Sequence, residues 1–514
     1  MKMKQEQLRQ HDWSRPIAVA RAAGVGILAG GVVGCFRFVI QLGLSQVQYF
    51  FGLAHQRPWL LLVWMVVGVV ITLIVGRWMK QVPEIKGSGI PEVEGQLMGA
   101  LDYKWWPVLW RKFAGGILGI GSGLFLGREG PSIQLGATIG QGFAASQRLA
   151  GTDRRLMIAS GAAAGLAAAF NAPIASSLFV LEEVYHNFST MVWITALTSA
   201  VCSNFVSTVL FGLKPVLYMP YGHMFGMKSY WVLILLGLFL GVLGRLYQVV
   251  LLRVGDWYAK IPGLPSQYHA IVAFLLMMPI AWWLPQTLGG GNAIIVGFNH
   301  LMPGALSLLG LFVLRFVFSM VSYGTGLPGG IFLPILTLGA ILGGLFGQVM
   351  VSLHLIAPSY LPDFIIVAMA GYFAGISKAP FTAILLITEM VGTLQHLMPL
   401  AVVSLVAYLT VDGLGGAPIY EALLDRKVRP SIPGLLGATD QVEMAVFEGS
   451  SIDGLQVRQV NWPKHSLLTG VRRGGKVWVP NGDTILHAGD LIVVTVDRSQ
   501  RADVYRHLQL LAQS

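Results

Sequence analysis

The sequence predicts an all-α polytopic membrane protein of two repeated halves with broken helices, followed by a small α+β domain. Three observations predict it. The 514 residues are 54% apolar and only 11% charged, with 63 glycines and a mean hydropathy of +0.66, which is the composition of closely packed apolar helices. The apolar runs are many, and several are too short to span a bilayer. A set of glycine–proline motifs also occurs more than once along the chain.

Taken in order, the apolar runs fall at about 23–54, 58–79, 113–127, 131–147, 156–170, 172–185, 191–212, 229–252, 269–285, 305–323, 334–355, 362–376, 379–392 and 397–415. A bilayer crossing takes roughly 20 residues. Short runs broken by glycine or proline are the signature of half-helices that meet at a midplane site. Pro131-x-x-x-Leu135-Gly136-Ala137-x-x-Gly140 matches Pro334-x-x-x-Leu338-Gly339-Ala340-x-x-Gly343. Ala172-Pro173 with Leu178 and Glu182 matches Ala379-Pro380 with Leu385 and Glu389 at the same spacing. Two halves, roughly 20–215 and 225–425, thus carry one pattern, and a site between them is expected.

Cys35 and Cys202 both lie in apolar runs and read as buried thiols rather than a disulfide framework. The first 21 residues are polar and basic, without the short apolar core of a cleavable signal. The formal charge is +11, yet residues 437–514 hold eight basic and eight acidic residues, so the excess belongs to the membrane portion. Lys2, Lys4, Arg9, Arg15 and Arg21 at one end, and Arg426, Lys427 and Arg429 at the other, are expected to keep both termini in the cytoplasm. No soluble basic face is left to bind a duplex, so nucleic acid is not an expected partner.

The central stretch is Gly127-Arg128-Glu129-Gly130-Pro131. Gly130-Pro131 reads as a helix start, and Glu129 lies where two apolar runs meet. A carboxylate beside free backbone N–H groups in an apolar setting is costly unless it has a job. The place is built to hold negative charge, whether this carboxylate or an anion that replaces it. Gly87-Ser88-Gly89-Ile90-Pro91 and Gly329-Gly330-Ile331-Phe332-Leu333-Pro334 repeat the arrangement. Three such helix starts converging would surround a dehydrated anion with partial positive charge, without a full charge to trap it.

These three motifs, in this order, resemble the anion-pathway signatures of the CLC family of chloride channels and chloride/proton antiporters, and the likeness runs from about residue 15 to 430. The resemblance implies inverted halves, one pathway per subunit and a homodimer. It assigns the central chloride to Ser88, Gly89, Ile331, Phe332 and Tyr420, with Lys112 and Arg128 adding positive field. Ser88 favours chloride over nitrate or fluoride; its alternative role is to cap the helix near Pro91. Glu129 becomes the gating glutamate, although a structural ion pair with Arg128 is its bland reading. That pair is disfavoured because adjacent residues at a helix start rarely point the same way. Glu183 matches the inner proton-transfer glutamate of the antiporters, while Glu182, with its repeat partner Glu389, reads as structural. The bland reading of Tyr420 is an interfacial belt residue, and that of Lys112 a solvated basic pair with Arg111. A metal site from Glu182 and His186 has too few ligands.

The expected function is chloride/proton exchange without cofactor or covalent chemistry, with a passive chloride channel as the alternative and a fluoride/proton antiporter after it. The expected divisions are an N-terminal arm at 1–22, a transport domain at 23–425, a Pro/Gly linker at 426–440 and a soluble module at 441–514. The module has β-like runs at 443–448, 455–460, 467–472, 476–479 and 491–496, then a helix near 499–512. Gly449-Ser450-Ser451, Pro480–Thr484 and His487–Leu491 resemble the TrkA-C domain, which implies a cytoplasmic regulatory part, with a small molecule or cyclic dinucleotide as candidate effector. The expected location is the bacterial inner membrane.

Overall fold

The computed structural model describes residues 14–213, 215–219, 225–427, 439–473, 476–497 and 500–513. Lys2, Lys4, Arg9, the Gly474-Gly475 turn and most of the linker lie outside the described residues. The first half comprises α1 (Ser14–Ala54), α2 (Leu60–Gln81), α3 (Ile90–Met98), α4 (Trp105–Gly121), α5 (Glu129–Ser146), α6 (Gly151–Phe170), α7 (Pro173–Phe179) and α8 (Thr190–Phe211). The second comprises α9 (Tyr230–Ala259), α10 (Ala270–Trp283), α11 (Asn292–Gly297), α12 (Ala305–Gly324), α13 (Phe332–Ser352), α14 (Leu361–Ser377), α15 (Pro380–Val391), α16 (Leu397–Gly413) and α17 (Ile419–Asp425). Among the described residues, seven helices are long and apolar enough to cross a membrane. Others, such as the nine-residue α3 and seven-residue α7, are the broken pieces that the interrupted runs predict.

The repeated Leu-Gly-Ala-x-x-Gly motif has a packing reason. A Cβ on Gly136 would lie 2.0 Å from the Gly161 carbonyl oxygen, and one on Gly140 would lie 2.0 Å from that of Met157. The α5 and α6 backbones therefore touch, which only glycine permits. In the second half a Cβ on Gly343 would lie 2.4 Å from the Phe364 carbonyl oxygen, and one on Gly339 would lie 2.9 Å from that of Ala368, so α13 packs on α14 in the same way. Cys35 corrects the expectation of buried thiols, for it is exposed, and Cys202 is only partly covered. Both sit on faces of α1 and α8 that also display exposed apolar side chains such as Phe38 and Phe205. An apolar run buried in lipid has outward faces as apolar as its core.

Beyond the linker, β1 (Thr439–Ala445), β2 (Ser466–Arg473), β3 (Lys476–Trp478) and β4 (Leu491–Asp497) form an antiparallel sheet in the order β1-β4-β2-β3, followed by α18 (Arg501–Gln513). Alternate residues of β4, Ile492, Val494 and Val496, are buried with Val504, Tyr505 and Leu508 of α18, the period-2 pattern of a sheet with one covered face. The run at 455–460 is not a strand. It contains the 3₁₀ turn Val457–Gln459 and pairs only through an isolated bridge between Gln456 and Ile485.

This module is docked on the helices. Met98 and Leu424 join its core. Asp440 receives both Arg155 Nη1, at 3.1 Å from each oxygen, and Arg501 Nε at 3.1 Å. Arg501 also donates to the Leu97 carbonyl at 3.0 Å, and Tyr505 Oη to that of Tyr185 at 3.0 Å.

Candidate functional site

The three glycine-rich motifs are stitched to one another by backbone hydrogen bonds. Gly127 and Gly330 exchange N–H···O bonds of 2.7 Å in both directions. Gly87 N–H donates to Gly326, and Gly329 N–H donates to Gly87, at 3.0 Å each. A Cβ on Gly130 would sit 2.3 Å from Ser88 Oγ, so the first two motifs pack too closely for any side chain there. The helices α3, α5 and α13 start beside this knot, at Ile90, Glu129 and Phe332. None has a side-chain cap, which leaves the N–H groups of their first turns available to an anion. Pro91 is the second residue of its helix, whereas Pro131 and Pro334 are the third of theirs. The helices carrying Pro131 and Pro334 thus begin two residues earlier than the prolines suggest, which brings Glu129 and Phe332 into the first turn.

Ser88 is buried, and its hydroxyl has no hydrogen-bond partner. Gly89, not Ser88, occupies the N-cap position of α3, in a left-handed conformation at φ 94°. The capping alternative for Ser88 therefore fails, and its donor remains unspent. Tyr420 is fully buried with its hydroxyl also unpartnered, so it is no belt residue. Its ring stands edge-on to Phe179 at 6.2 Å, and Phe179 packs edge-on against Phe332 at 5.8 Å. The Phe332 ring is thus a wall between halves, while Ile331 and Phe332 set the start of α13.

Glu129 is fully buried, and neither carboxylate oxygen makes a well-formed hydrogen bond. The backbone N–H groups of Glu129 and Leu333 face it. Arg128 Nε lies 3.8 Å from Oε1. The adjacent pair does approach, contrary to the expectation from helix geometry, because Arg128 precedes the helix and its chain can fold back. At 3.8 Å the contact lacks the geometry of a direct hydrogen bond and leaves the carboxylate unclamped.

Lys112 is fully buried rather than solvated. Its ammonium donates to the carbonyls of Ile85 at 3.0 Å and Gly87 at 2.8 Å, which fixes the loop carrying Ser88. Sequence reasoning missed its counterpart in the second half. Arg315, alone in the apolar run 305–323, donates to Thr287, Gly289 and Gly290 at 2.7, 2.8 and 2.7 Å. It clamps the Gly289-Gly290-Gly291 loop as Lys112 clamps Gly87-Ser88-Gly89. Arg37 was missed as well: it stacks over Phe211 at 4.2 Å, donates to Asn171 Oδ1 at 3.2 Å and lies within electrostatic range of Glu129. A single cation in a long apolar run was the available signal for both.

Glu183 lies in a π-helical turn, Val180–Val184, that ends α7. Such wide turns are frequent at functional sites. It is buried, within electrostatic range of Glu94, Glu182, Glu421 and Tyr420. Glu182 points elsewhere: it accepts from the N–H groups of Phe381 and Thr382 and from the Thr382 hydroxyl. Its carboxylate is therefore a helix cap and not half of a metal site with His186.

Two pseudo-symmetric halves of broken helices, closed on a buried focus of unspent donors and one unclamped carboxylate, define a membrane transport protein rather than an enzyme. The chain belongs to the voltage gated chloride channel family, whose profile matches residues 67–412, and a TrkA-C domain profile matches residues 442–509. A relative from Vibrio vulnificus strain YJ016, H(+)/Cl(-) exchange transporter ClcA, is 35% identical over 435 residues, 81% of this chain and 91% of its own length. The protein of the same name from Vibrio cholerae serotype O1 strain M66-2 is 37% identical over 360 residues, 68% of this chain and 75% of its own. The crystal structure of a slow cyanobacterial Cl-/H+ antiporter superposes with a TM-score of 0.75 at 31% identity, covering 80% of this chain and 98% of that one. A CLC-type fluoride/proton antiporter, at 23% identity and TM-score 0.64, covering 78% of this chain and 96% of that one, shares the fold.

Proposed function

We propose that this chain is a secondary active antiporter that moves chloride across the membrane in exchange for protons. The observation that carries the reading is a pairing of opposites. Two buried hydroxyls without a protein acceptor, Ser88 and Tyr420, accompany two buried carboxylates, Glu129 and Glu183. Ser88, Tyr420 and the helix-start amides at Gly89, Ile331 and Phe332 hold the anion. Glu129, facing amides that an anion would also seek, competes for that place when charged and leaves it when protonated. Glu183 exchanges protons with the cytoplasmic side. Lys112 and Arg128 bias the pathway toward anions, and Lys112 does so chiefly by fixing the Ser88 loop.

In this reading residues 23–425 are the transport unit of a homodimer in the inner membrane, with one pathway per subunit and both termini cytoplasmic. Residues 441–514 are a regulatory module for a small effector, a cyclic dinucleotide being one candidate. The Arg155–Asp440–Arg501 contact supports it, since it ties the module to α6 and the end of α3. The test is flux in proteoliposomes: Glu129→Gln should abolish proton movement and leave some chloride movement, and Glu183→Gln should stop proton exchange from the inside.

A further inference from the structure

A second buried carboxylate lies beside Glu183, and nothing in the anion pathway uses it. Glu94 of α3 is fully buried, and both of its oxygens lack a hydrogen-bond partner. A buried polar group left so is costly and calls for an explanation. Its nearest basic group is His186, whose Nε2 lies 3.8 Å from Glu94 Oε1. His186 follows the π-turn of Glu183 and takes a left-handed backbone conformation at φ 50°, uncommon for a residue with a side chain. The kink turns the chain back toward α3, and the imidazole remains 16% exposed while Glu94 is 0% exposed. One end of the pair thus meets solvent and the other faces the interior.

Glu94 in turn lies within electrostatic range of Glu183. The remaining groups that face the pair are Glu182 on the π-turn, Glu421 and Asp425 of α17, and Tyr505 of α18. Glu182 is occupied as a cap, and Tyr505 lies beneath, bonded to the Tyr185 carbonyl. His186 is partly exposed, and imidazole is a side chain that both accepts and donates a proton through its two ring nitrogens.

Resting on the antiporter reading, we propose that His186 and Glu94 form the cytoplasmic proton relay that loads Glu183. An imidazolium N–H proton passes from Nε2 to the Glu94 carboxylate, and from there to Glu183. The imidazole then takes a replacement proton from solvent, so each cycle moves one proton from the cytoplasm to Glu183 and no electrons. Small rotations close the 3.8 Å gap to hydrogen-bond length.

The test uses the full-length protein in proteoliposomes, with chloride and proton fluxes measured together at several internal pH values. The wild type and Glu183→Gln serve as references. His186→Gln and Glu94→Gln should each cut proton flux about a hundredfold, the low end of what a positioned proton carrier contributes. Chloride flux should fall far less, so that the chloride-to-proton ratio rises. Imidazole inside the vesicles should restore proton flux to His186→Ala, which a merely structural histidine would not allow. If the wild type couples and Glu183→Gln does not, while His186→Gln and Glu94→Gln move protons at the wild-type rate, the relay is wrong though the antiporter stands. If imidazole fails to rescue His186→Ala, the relay is also wrong. A wild type that moves no protons overturns the antiporter reading itself.

Discussion

Glu182 and Glu389 exchange helix caps across the molecule. Glu182, at the end of α7 in the first half, accepts from Phe381 N at 3.2 Å and Thr382 N at 2.7 Å at the start of α15. Glu389, at the end of α15, accepts from Ile174 N at 3.2 Å and Ala175 N at 2.8 Å at the start of α7. Each half thus satisfies the orphan amides of the other with a charge suited to the helix dipole. Replacing either glutamate by alanine should destabilise the protein by about 1–2 kcal/mol. The two losses should be similar, and the proton coupling of the folded fraction should persist. Thermal unfolding in detergent, paired with reconstituted flux, checks both points.

Lys112 and Arg315 are the two loop clamps, and they differ in what depends on them. Lys112→Met strips two buried carbonyls of their donor, at about 2 kcal/mol or more, and slackens the loop that carries Ser88. Chloride affinity, measured by calorimetry, should fall with it. Arg315→Met strips three carbonyls in the other half, far from Ser88 in sequence. It should cost at least as much stability while weakening chloride binding less.

Gly130 is fixed by the approach of Ser88. The added methyl of Gly130→Ala would fall 2.3 Å from Ser88 Oγ and 2.8 Å from the Ser88 carbonyl. Because one of these atoms is backbone, the first motif has to move. Chloride binding should drop by at least tenfold, which is about 1.4 kcal/mol, although α5 itself tolerates alanine well. Gly297→Ala, at a site with open space around its Cβ, is the matched control and should leave binding intact.

Asp440 ties the C-terminal module down. Burial opposes its charge, but Arg155 and then Arg501 outweigh burial and hold its carboxyl below the ordinary aspartate range. A carboxyl depressed in the docked state stabilises docking above its ordinary pKa of about 3.9. That stabilisation is lost as pH falls through the lower, docked value. Protection of residues 439–445 from hydrogen exchange should therefore hold at neutral pH and collapse in acid below about pH 4. Asp440→Asn should weaken docking by about 2 kcal/mol, less than a fully buried pair would lose, and flatten this acid dependence.

Much of this architecture was legible because its signals are backbone signals. Glycine at a helix start, proline just inside it and a Leu-Gly-Ala-x-x-Gly repeat each mark a place where only one local geometry packs. Ser88, Glu129 and Tyr420 stood out as polar residues beside such marks, and the structure brings the glycine motifs together. What the sequence concealed depends on the third dimension. The carbonyls held by Lys112 and Arg315 lie 25 to 28 residues away in the chain. The Glu94–His186 approach joins residues separated in the chain by four intervening helices, α4 to α7. Burial of Cys35 was misjudged because an apolar helix gives no sign of which face meets lipid. The 455–460 run has the apolar residues of a strand, yet a Gln456–Gln459 capping box turns it into a 3₁₀ loop.

The central claim, a carboxylate gate that exchanges chloride for protons, is tested most directly by uphill proton movement. Vesicles containing the purified protein, loaded with high chloride and diluted into low chloride at equal pH, should take up protons as chloride leaves. Glu129→Gln should let chloride leave with no proton uptake. Chloride efflux without proton movement in the wild-type protein, at every pH examined, would contradict the account and leave a passive channel.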